Sequence, residues 1–273
     1  MDRLIEMASN PDFISGIYNY CDRWCERCLF TRRCLLYATE QENLPRKEGH
    51  DPENKELWEH VDSMLKLALQ MLKEGEIEQI PISPQDLADH DLRRRETERH
   101  PLAQDAKSYS HMVSLWFDDH KHLFETRERQ TGSDIGTSDQ RMSQAWKVSA
   151  AEVIRWYQHQ TRVKIMRALS GGEEHAPEEL DEFPRDSDGS AKVALVGIDR
   201  SIGAWEALRN EFPIDTEGIL DVIIYLNRLR MSVEERFPNA RVFVRPGFDQ
   251  EMNNIPDNLR MENKRSGLPG ESP

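Results

Sequence analysis

The stretch LAQDAKSYSHMVSLW, residues 102–116, decides the fold class of this chain. Its core-type side chains recur at alternating steps of four and three residues, at Leu102, Ala106, Tyr109, Val113 and Trp116. This spacing aligns them on one face of an α-helix, and such a face is buried against other helices. The stretch therefore predicts a long amphipathic helix within a helical bundle.

Helical patterns continue through most of the chain. Helices are predicted at about 11–38, 52–74, 84–99, 102–129, 139–170, 188–211 and 215–237. Asn10, Asp51 and Ser83 each place a capping side chain directly before a proline, which suits the first position of a helix. Residues 241–245 alternate as a strand does, and they are the one strand signal. The predicted fold is all-α, a bundle of four to five long helices.

Composition divides the chain into three predicted regions. Residues 1–50 form a helical four-cysteine segment, residues 51–248 the bundle, and residues 249–273 a disordered tail with few large apolar side chains. Two linkers are expected inside the bundle region. Residues 131–138 are small and polar, and residues 171–190 hold eight carboxylates against a single arginine.

The charge and hydropathy of the chain exclude some functions. Among 273 residues, 50 are acidic and 36 basic, giving a formal net charge of −14. This charge argues against general binding to nucleic-acid phosphates. Apolar runs fall far short of the roughly 20 residues that a membrane helix needs, and the N-terminus lacks a signal-peptide pattern. We therefore expect a cytoplasmic protein with no membrane contact, acting with a redox or protein partner.

All four cysteines of the chain lie within fourteen residues, at Cys21, Cys25, Cys28 and Cys34. In a helix the first three would share one face, because positions i, i+4 and i+7 align. Cys34 would then fold back from a turn to supply the fourth thiolate. Four thiolates suit a tetrahedral zinc ion or a four-iron, four-sulfide (4Fe-4S) cluster. The segment is therefore predicted to bind a metal centre.

The residues around the cysteines agree with a thiolate site. Arginines outnumber carboxylates there, and Arg23 and Arg27 are the predicted hydrogen-bond donors to sulfur. The spacing of the first three cysteines resembles that of radical S-adenosylmethionine enzymes, but the chain lacks the alternating strands and helices of their barrel. The compact spacing favours an iron–sulfur cluster for electron transfer or redox sensing. Structural zinc in an interaction protein, and plain thiols or disulfides, are the alternatives.

A second metal site is conceivable inside the bundle. Helical bundles can hold two iron or manganese ions between inward carboxylates and histidines, which would make the protein an oxidoreductase. Such residues occur in pairs on three predicted helices: Asp119 with His122, Glu152 with His159, and Asp199 with Glu206. A satisfied polar core is the competing interpretation, because no histidine follows a glutamate by three positions. No phosphate-binding loop or serine-nucleophile motif is present.

Overall fold

The computed structural model describes residues 7, 10–43, 66, 83–124, 138–171, 186–211 and 215–249. All regular structure in these residues is helical, and no strand occurs among them. Six α-helices are described: α1 (Leu35–Asn43), α2 (Pro84–Arg99), α3 (Pro101–Asp119), α4 (Ser138–Gly171), α5 (Asp186–Glu211) and α6 (Thr216–Arg236). The all-α prediction is confirmed for this part of the chain.

The chain divides into two compact units. The N-terminal unit comprises Met1–Asn19 and Arg23–His90, and it contains α1. The helical unit comprises Tyr20–Asp22 and Asp91–Pro273, and it contains α3, α4, α5 and α6. The tripeptide Tyr20–Asp22 thus belongs to the helical unit, although its neighbours on both sides in the sequence do not.

Helix α5 is the central element of the helical unit. It packs most extensively on α4 and also on α6, while α3 packs on α4 and α6. Its buried side chains point in several directions, as expected for a helix covered on more than one side. The fully buried large side chains of the four helices are Tyr109, Val113, Ile154, Tyr157, Ile165, Leu195, Ile198, Trp205, Leu208, Ile219 and Leu226.

Glycine lets α4 approach α5 closely. A Cβ atom added to Gly197 would lie 2.9 Å from Cδ1 of Tyr157 and 3.1 Å from the hydroxyl oxygen of Thr161. Both distances are shorter than ordinary contacts between carbon atoms or between carbon and oxygen. A larger residue at position 197 would therefore push the two helices apart or displace the tyrosine ring.

Two helix starts follow the proline pattern of the sequence. Before α2, the Ser83 hydroxyl accepts from the Asp86 amide (3.1 Å) and the Asp86 carboxylate accepts from the Ser83 amide (2.7 Å), a reciprocal capping box. Before α3, Nδ1 of His100 accepts from the Leu102 amide at 3.2 Å, with Pro101 at the first helical position. α3 ends at Asp119, earlier than predicted, and a 3-10 turn follows at Lys121–Leu123.

The predicted helix over residues 11–38 is wrong. Three 3-10 turns, Ile17–Tyr20, Cys25–Arg27 and Thr31–Arg33, precede α1 instead. Gly16 (φ +71°) and Arg23 (φ +59°) adopt left-handed backbone conformations, which interrupt a right-handed helix. Asn10 does use its side chain, because Oδ1 accepts from the Asp12 amide at 2.9 Å, but that bond closes a turn rather than starting a helix.

Two further expectations are corrected by the helical unit. Residues 241–245 form turns and extended loop rather than a strand, and Phe243 turns inward between exposed Val242 and Val244. Their alternation therefore records burial against a helix and not strand pairing. The predicted acidic linker also ends early, because α5 already begins at Asp186 and residues 187–190 are buried.

Some predictions lie outside the described residues. These are the helix at 52–74 apart from Lys66, the linkers at 131–137 and 172–185, and the tail from residue 250 onward. Among the helices that are described, none combines the length and the apolar character needed to cross a membrane.

Candidate metal-binding segment

Within the N-terminal unit, main-chain bonds fold the cysteine segment back on the residues before it. The Ile14 amide donates to the Arg33 carbonyl at 3.0 Å, and Nε of Arg33 donates to the Asp12 carbonyl at 3.2 Å. Arg23 forms an ion pair with Glu40 on α1 at 2.7 Å. These bonds close residues 12–33 into a loop, so its shape does not depend on a continuous helix.

The four cysteines are partly exposed thiols, and no disulfide joins them. Two sulfur atoms accept hydrogen bonds from backbone amides. The Phe30 amide donates to Sγ of Cys28 at 3.4 Å, and the Tyr37 amide donates to Sγ of Cys34 at 3.5 Å. Such bonds stabilise a thiolate more than a thiol, because the acceptor then carries the negative charge.

Cys34 also occupies the start of α1. Its carbonyl accepts the first helical bond, from the Ala38 amide at 3.0 Å, while its sulfur accepts from the Tyr37 amide. Its side chain therefore caps the helix in the manner of a serine or aspartate.

The predicted helical face of cysteines does not form. Cys21 lies in a bend, Cys25 begins a 3-10 turn, and Cys28 follows that turn in an extended conformation. Across the described residues, no three histidine, cysteine, aspartate or glutamate side chains are grouped as a metal ion would require. Of the predicted donors to sulfur, Arg23 reaches Glu40 and the Arg27 guanidinium lies 4.2 Å from the centre of the Trp24 ring.

Asp22 fixes the tripeptide Tyr20–Asp22 to helices α4 and α5. Its carbonyl accepts from Nε1 of Trp156 at 3.1 Å and from Nε2 of Gln160 at 2.9 Å. Its carboxylate accepts from the Tyr157 hydroxyl at 2.5 Å and from Nη1 of Arg200 at 2.6 Å. Arg200 also donates to the Tyr157 hydroxyl oxygen. One residue thus receives four hydrogen bonds from two helices.

Tyr20 attaches the other end of the tripeptide. Its ring occupies the place where a side chain at Gly189 would be, since a Cβ added there would lie 2.3 Å from Cε1 of Tyr20. The ring also packs edge-on against Phe243, with 4.7 Å between the ring centres. Burial and a hydrogen bond to Asp186 raise the pKa of Tyr20 to about 12, so its hydroxyl is protonated at neutral pH.

Two buried groups of α4 flank this attachment. Burial, followed by the charge of Asp22 and the hydrogen bond to it, raises the pKa of Tyr157, which therefore remains a hydrogen-bond donor at neutral pH. Lys164 is only 6% exposed, and burial lowers the pKa of its ammonium group. Cys21, and then Asp22 and Asp186, oppose this shift, whereas the charge of Arg167 adds to it.

The structure does not bring the six bundle candidates together. Glu152 and His159 project to solvent, and the buried face of α4 is instead formed by Ala151, Ile154, Tyr157, Thr161, Ile165 and Ala168. Their predicted inward placement is wrong, because the buried side chains of α4 lie on a different face of the helix. His159 shares a 3.0 Å hydrogen bond with Ser110.

The remaining candidates also lie outside the apolar core. Asp199 forms an ion pair with Arg241 at 2.6 Å, and Glu206 is exposed. Asp119 is the last residue of α3 and His122 lies in the following 3-10 turn, and both are exposed. An inward ligand set for a di-metal centre is therefore not formed by these residues.

Sequence reasoning missed the residues that bind Asp22, namely Trp156, Tyr157, Gln160 and Arg200. A weak signal exists, because Tyr157 and Gln160 are three residues apart and so share a face of α4. Gly189 and Gly197 on α5 are a second signal, since glycine inside a helix is unfavourable unless a close approach requires it.

No protein family, curated protein or solved structure matches this chain at a significant level.

Proposed function

We propose that the cysteine segment binds an iron–sulfur cluster through Cys21, Cys25, Cys28 and Cys34, and that the protein serves in electron transfer or redox sensing. The observation that carries the proposal is the pair of backbone amides that donate to Sγ of Cys28 and Cys34. Hydrogen bonds to sulfur are one of the means by which proteins set the potential of such clusters.

The donor set fits the group chemically. The chain offers four cysteines within fourteen residues, all of them thiols, and four thiolates complete either a four-iron cluster or a zinc ion. The thiols are partly exposed, so iron and sulfide can reach them. Because metal binding is coupled to folding, the ion or cluster itself would draw the thiolates into a closed ligand set.

The charge of the segment also supports the proposal. Arg23 and Arg27 follow Cys21 and flank Cys25, and their guanidinium groups offset part of the negative charge of four thiolates. When bound, a cluster would supply one-electron chemistry. The residues of this chain would hold it, limit the access of water and stabilise its charge.

The experiment is metal and sulfide analysis, with an absorbance spectrum, of protein purified without oxygen and without a histidine tag. We expect about four iron and four sulfide per chain and a visible absorbance that is lost on reduction. Cys25→Ser, Cys28→Ser and Cys34→Ser should each lower the iron content severalfold. Glu152→Gln, which alters a bundle candidate, is the matched control and should leave the iron content unchanged.

Each other outcome decides against part of the proposal. One zinc per chain without iron would overturn the redox function and make the segment a structural zinc site. Protein that binds neither metal, after anaerobic reconstitution with iron and sulfide or with zinc, would overturn metal binding altogether.

A further inference from the structure

The outer face of α6 carries a row of large apolar side chains. Leu220 (40% exposed), Ile224 (41%) and Met231 (65%) are open to solvent. At 3.6 residues per turn, positions 220, 224 and 231 lie within about 40° of one another around the helix axis, along about 16 Å of its length. The buried side of the helix is formed by other residues, namely Ile219, Val222, Ile223, Leu226, Leu229 and Val233. The row is therefore an apolar strip outside the core, of the kind that marks a contact surface.

Two opposite charges border the middle of this row. Asp221 and Arg228 are both exposed, and they lie seven residues apart on the same flank of α6. About 10 Å of helix separates them, so they are too far apart to form an ion pair with each other. Asp221 precedes Ile224 in the chain and Arg228 follows it. The middle of the row is thus bordered by a negative charge towards the start of the helix and by a positive charge towards its end.

A second copy of α6, packed antiparallel on the first, complements this arrangement. A two-fold axis level with residue 225 would bring the Ile224 side chains of the two copies together. Leu220 and Met231 lie five and six residues from that level, so Leu220 of one copy would face Met231 of the other. Asp221 and Arg228 lie four and three residues from it, so they would also meet across the pair. A parallel pair would instead set like charges opposite each other.

We propose that the outer face of α6 is a self-association surface, through which two copies of the chain form a dimer. Leu220, Ile224 and Met231 form its apolar centre, and two reciprocal ion pairs between Asp221 and Arg228 set the antiparallel register. These charges favour a second copy over other partners, because the same face supplies both members of each pair. The inference concerns the helical unit and does not rest on metal binding by the cysteine segment.

The dimer is expected to be weak. One pair of helices in contact over about 16 Å is at the low end of specific interfaces. Glu217 and Glu235 are exposed near the two ends of the row, and Glu217 of one copy would lie near Glu235 of the other, so these ends repel. The formal charge of −14 on each copy also opposes association at long range. We expect a dissociation constant on the order of 10 to 100 µM in roughly 0.15 M salt, where distant charges are screened.

The test is sedimentation velocity of the full-length protein at concentrations from about 5 to 500 µM, which bracket this dissociation constant. Reducing agent is present throughout, so that the partly exposed thiols cannot link two chains. We expect a reversible shift from monomer to dimer. Ile224→Glu places a charge at the centre of the row and should raise the dissociation constant at least about tenfold. Val163→Glu, a similar change at an exposed position of α4, is the matched control and should dimerise as the wild type does.

Charge reversals test the antiparallel register. Asp221→Arg and Arg228→Asp each set like charges opposite each other, and each should raise the dissociation constant about tenfold. The double variant, Asp221→Arg with Arg228→Asp, restores opposite charges across the pair and should return the dissociation constant to within about threefold of the wild type. Because the two positions are too far apart to pair within one helix, a rescue by the double variant can come only from association. A loss through misfolding would not be rescued.

Three results would overturn the proposal. A wild type that stays monomeric over this concentration range shows that the face does not mediate self-association. If Ile224→Glu then also lowers the free energy of unfolding, the row is covered by another part of the same chain. A dimer that Ile224→Glu leaves intact forms through a different surface. Single reversals that weaken the dimer, without rescue by the double variant, exclude the antiparallel pairing.

Discussion

Two short segments pack on α5, and only one of them is also held by a set of hydrogen bonds to one partly buried residue. The segment after α6, residues 237–249, buries Phe237 (4% exposed), Ala240 (0%) and Phe243 (8%), whereas its ion pairs with Asp199 and Glu234 lie at the surface. The tripeptide Tyr20–Asp22 combines the packing of the Tyr20 ring with four hydrogen bonds to Asp22, whose side chain is 19% exposed. Apolar burial is tolerant of small displacements, but hydrogen bonds are directional. The second kind of attachment therefore fixes the position of the neighbouring Cys21 more closely.

The two segments meet over Gly189, so this residue offers the strongest test of the comparison. A Cβ atom there would lie 2.3 Å from the Tyr20 ring and 2.7 Å from the Phe243 ring. We expect Gly189→Ala to lower the free energy of unfolding by about 2–3 kcal/mol, because one or both rings must move. Urea unfolding followed by circular dichroism measures the change.

Gly203 on the same helix provides the matched control. No atom lies within 4 Å of a Cβ added there. Gly203→Ala should therefore raise the free energy of unfolding by about 0.5–1 kcal/mol through helix propensity alone. If the two alanine variants change the free energy of unfolding equally, the Tyr20 and Phe243 rings do not need the space that glycine leaves at position 189.

Replacing Asp22 by alanine removes two of the four hydrogen bonds to this residue and leaves the packing of Tyr20 in place. Asp22→Ala leaves the Tyr157 hydroxyl and the Arg200 guanidinium without this acceptor, and we expect a loss of about 1–2 kcal/mol in the free energy of unfolding. Weaker attachment of the tripeptide should also speed tryptic cleavage after Arg23. Asp199→Ala, which removes exposed ion pairs with Arg241 and Arg230, is the control. If Asp199→Ala lowers the free energy of unfolding as much as Asp22→Ala does, the greater burial of Asp22 does not make its bonds more stabilising.

The smallest effect is expected at the end of the segment after α6. Burial opposes ionisation of Asp249, but hydrogen bonds from Arg245 and the charge of Lys192 outweigh it, so the pKa of this carboxyl lies below its usual 3.8. The ionised carboxylate of Asp249 therefore adds to the free energy of unfolding above about pH 4. This contribution is lost as the pH falls through the lowered pKa of the folded state. Asp249→Asn should cost about 1 kcal/mol or less at pH 7. The difference from the wild type should shrink below pH 4 in urea unfolding, and a constant difference down to pH 3 would contradict this assignment.

The periodicity of single helices could be predicted from the sequence, but the side that faces the core was harder to choose. In α3 the alternating pattern identified the buried face, at Leu102, Ala106, Tyr109, Val113 and Trp116. In α4 the inward face was assigned to Glu152 and His159, which are exposed. α4 buries Thr161 and Lys164 along with its apolar residues, so hydrophobicity alone could not distinguish the two faces.

In the cysteine segment, residue spacing did not predict the backbone conformation. Spacing by four and three residues at Cys21, Cys25 and Cys28 is compatible with a helix, yet the segment forms 3-10 turns. The left-handed backbone at Arg23 has no signature in the sequence, because arginine rarely adopts it. In the turn conformation Arg33 donates to the Asp12 carbonyl and Arg23 donates to the Glu40 carboxylate. Both acceptors are distant from their donors in the sequence.

The sequence by itself determined the helical class, the bounds of α4, α5 and α6 to within a few residues, and the gathering of all four cysteines in one segment. Those features depend on neighbouring residues, through helix periodicity, capping and composition. Only the tertiary structure decided that Tyr20–Asp22 joins the helical unit and that Lys164 is buried. These contacts join residues more than 130 positions apart, such as Asp22 with Tyr157 and Arg200, and no local pattern encodes which distant side chains will meet.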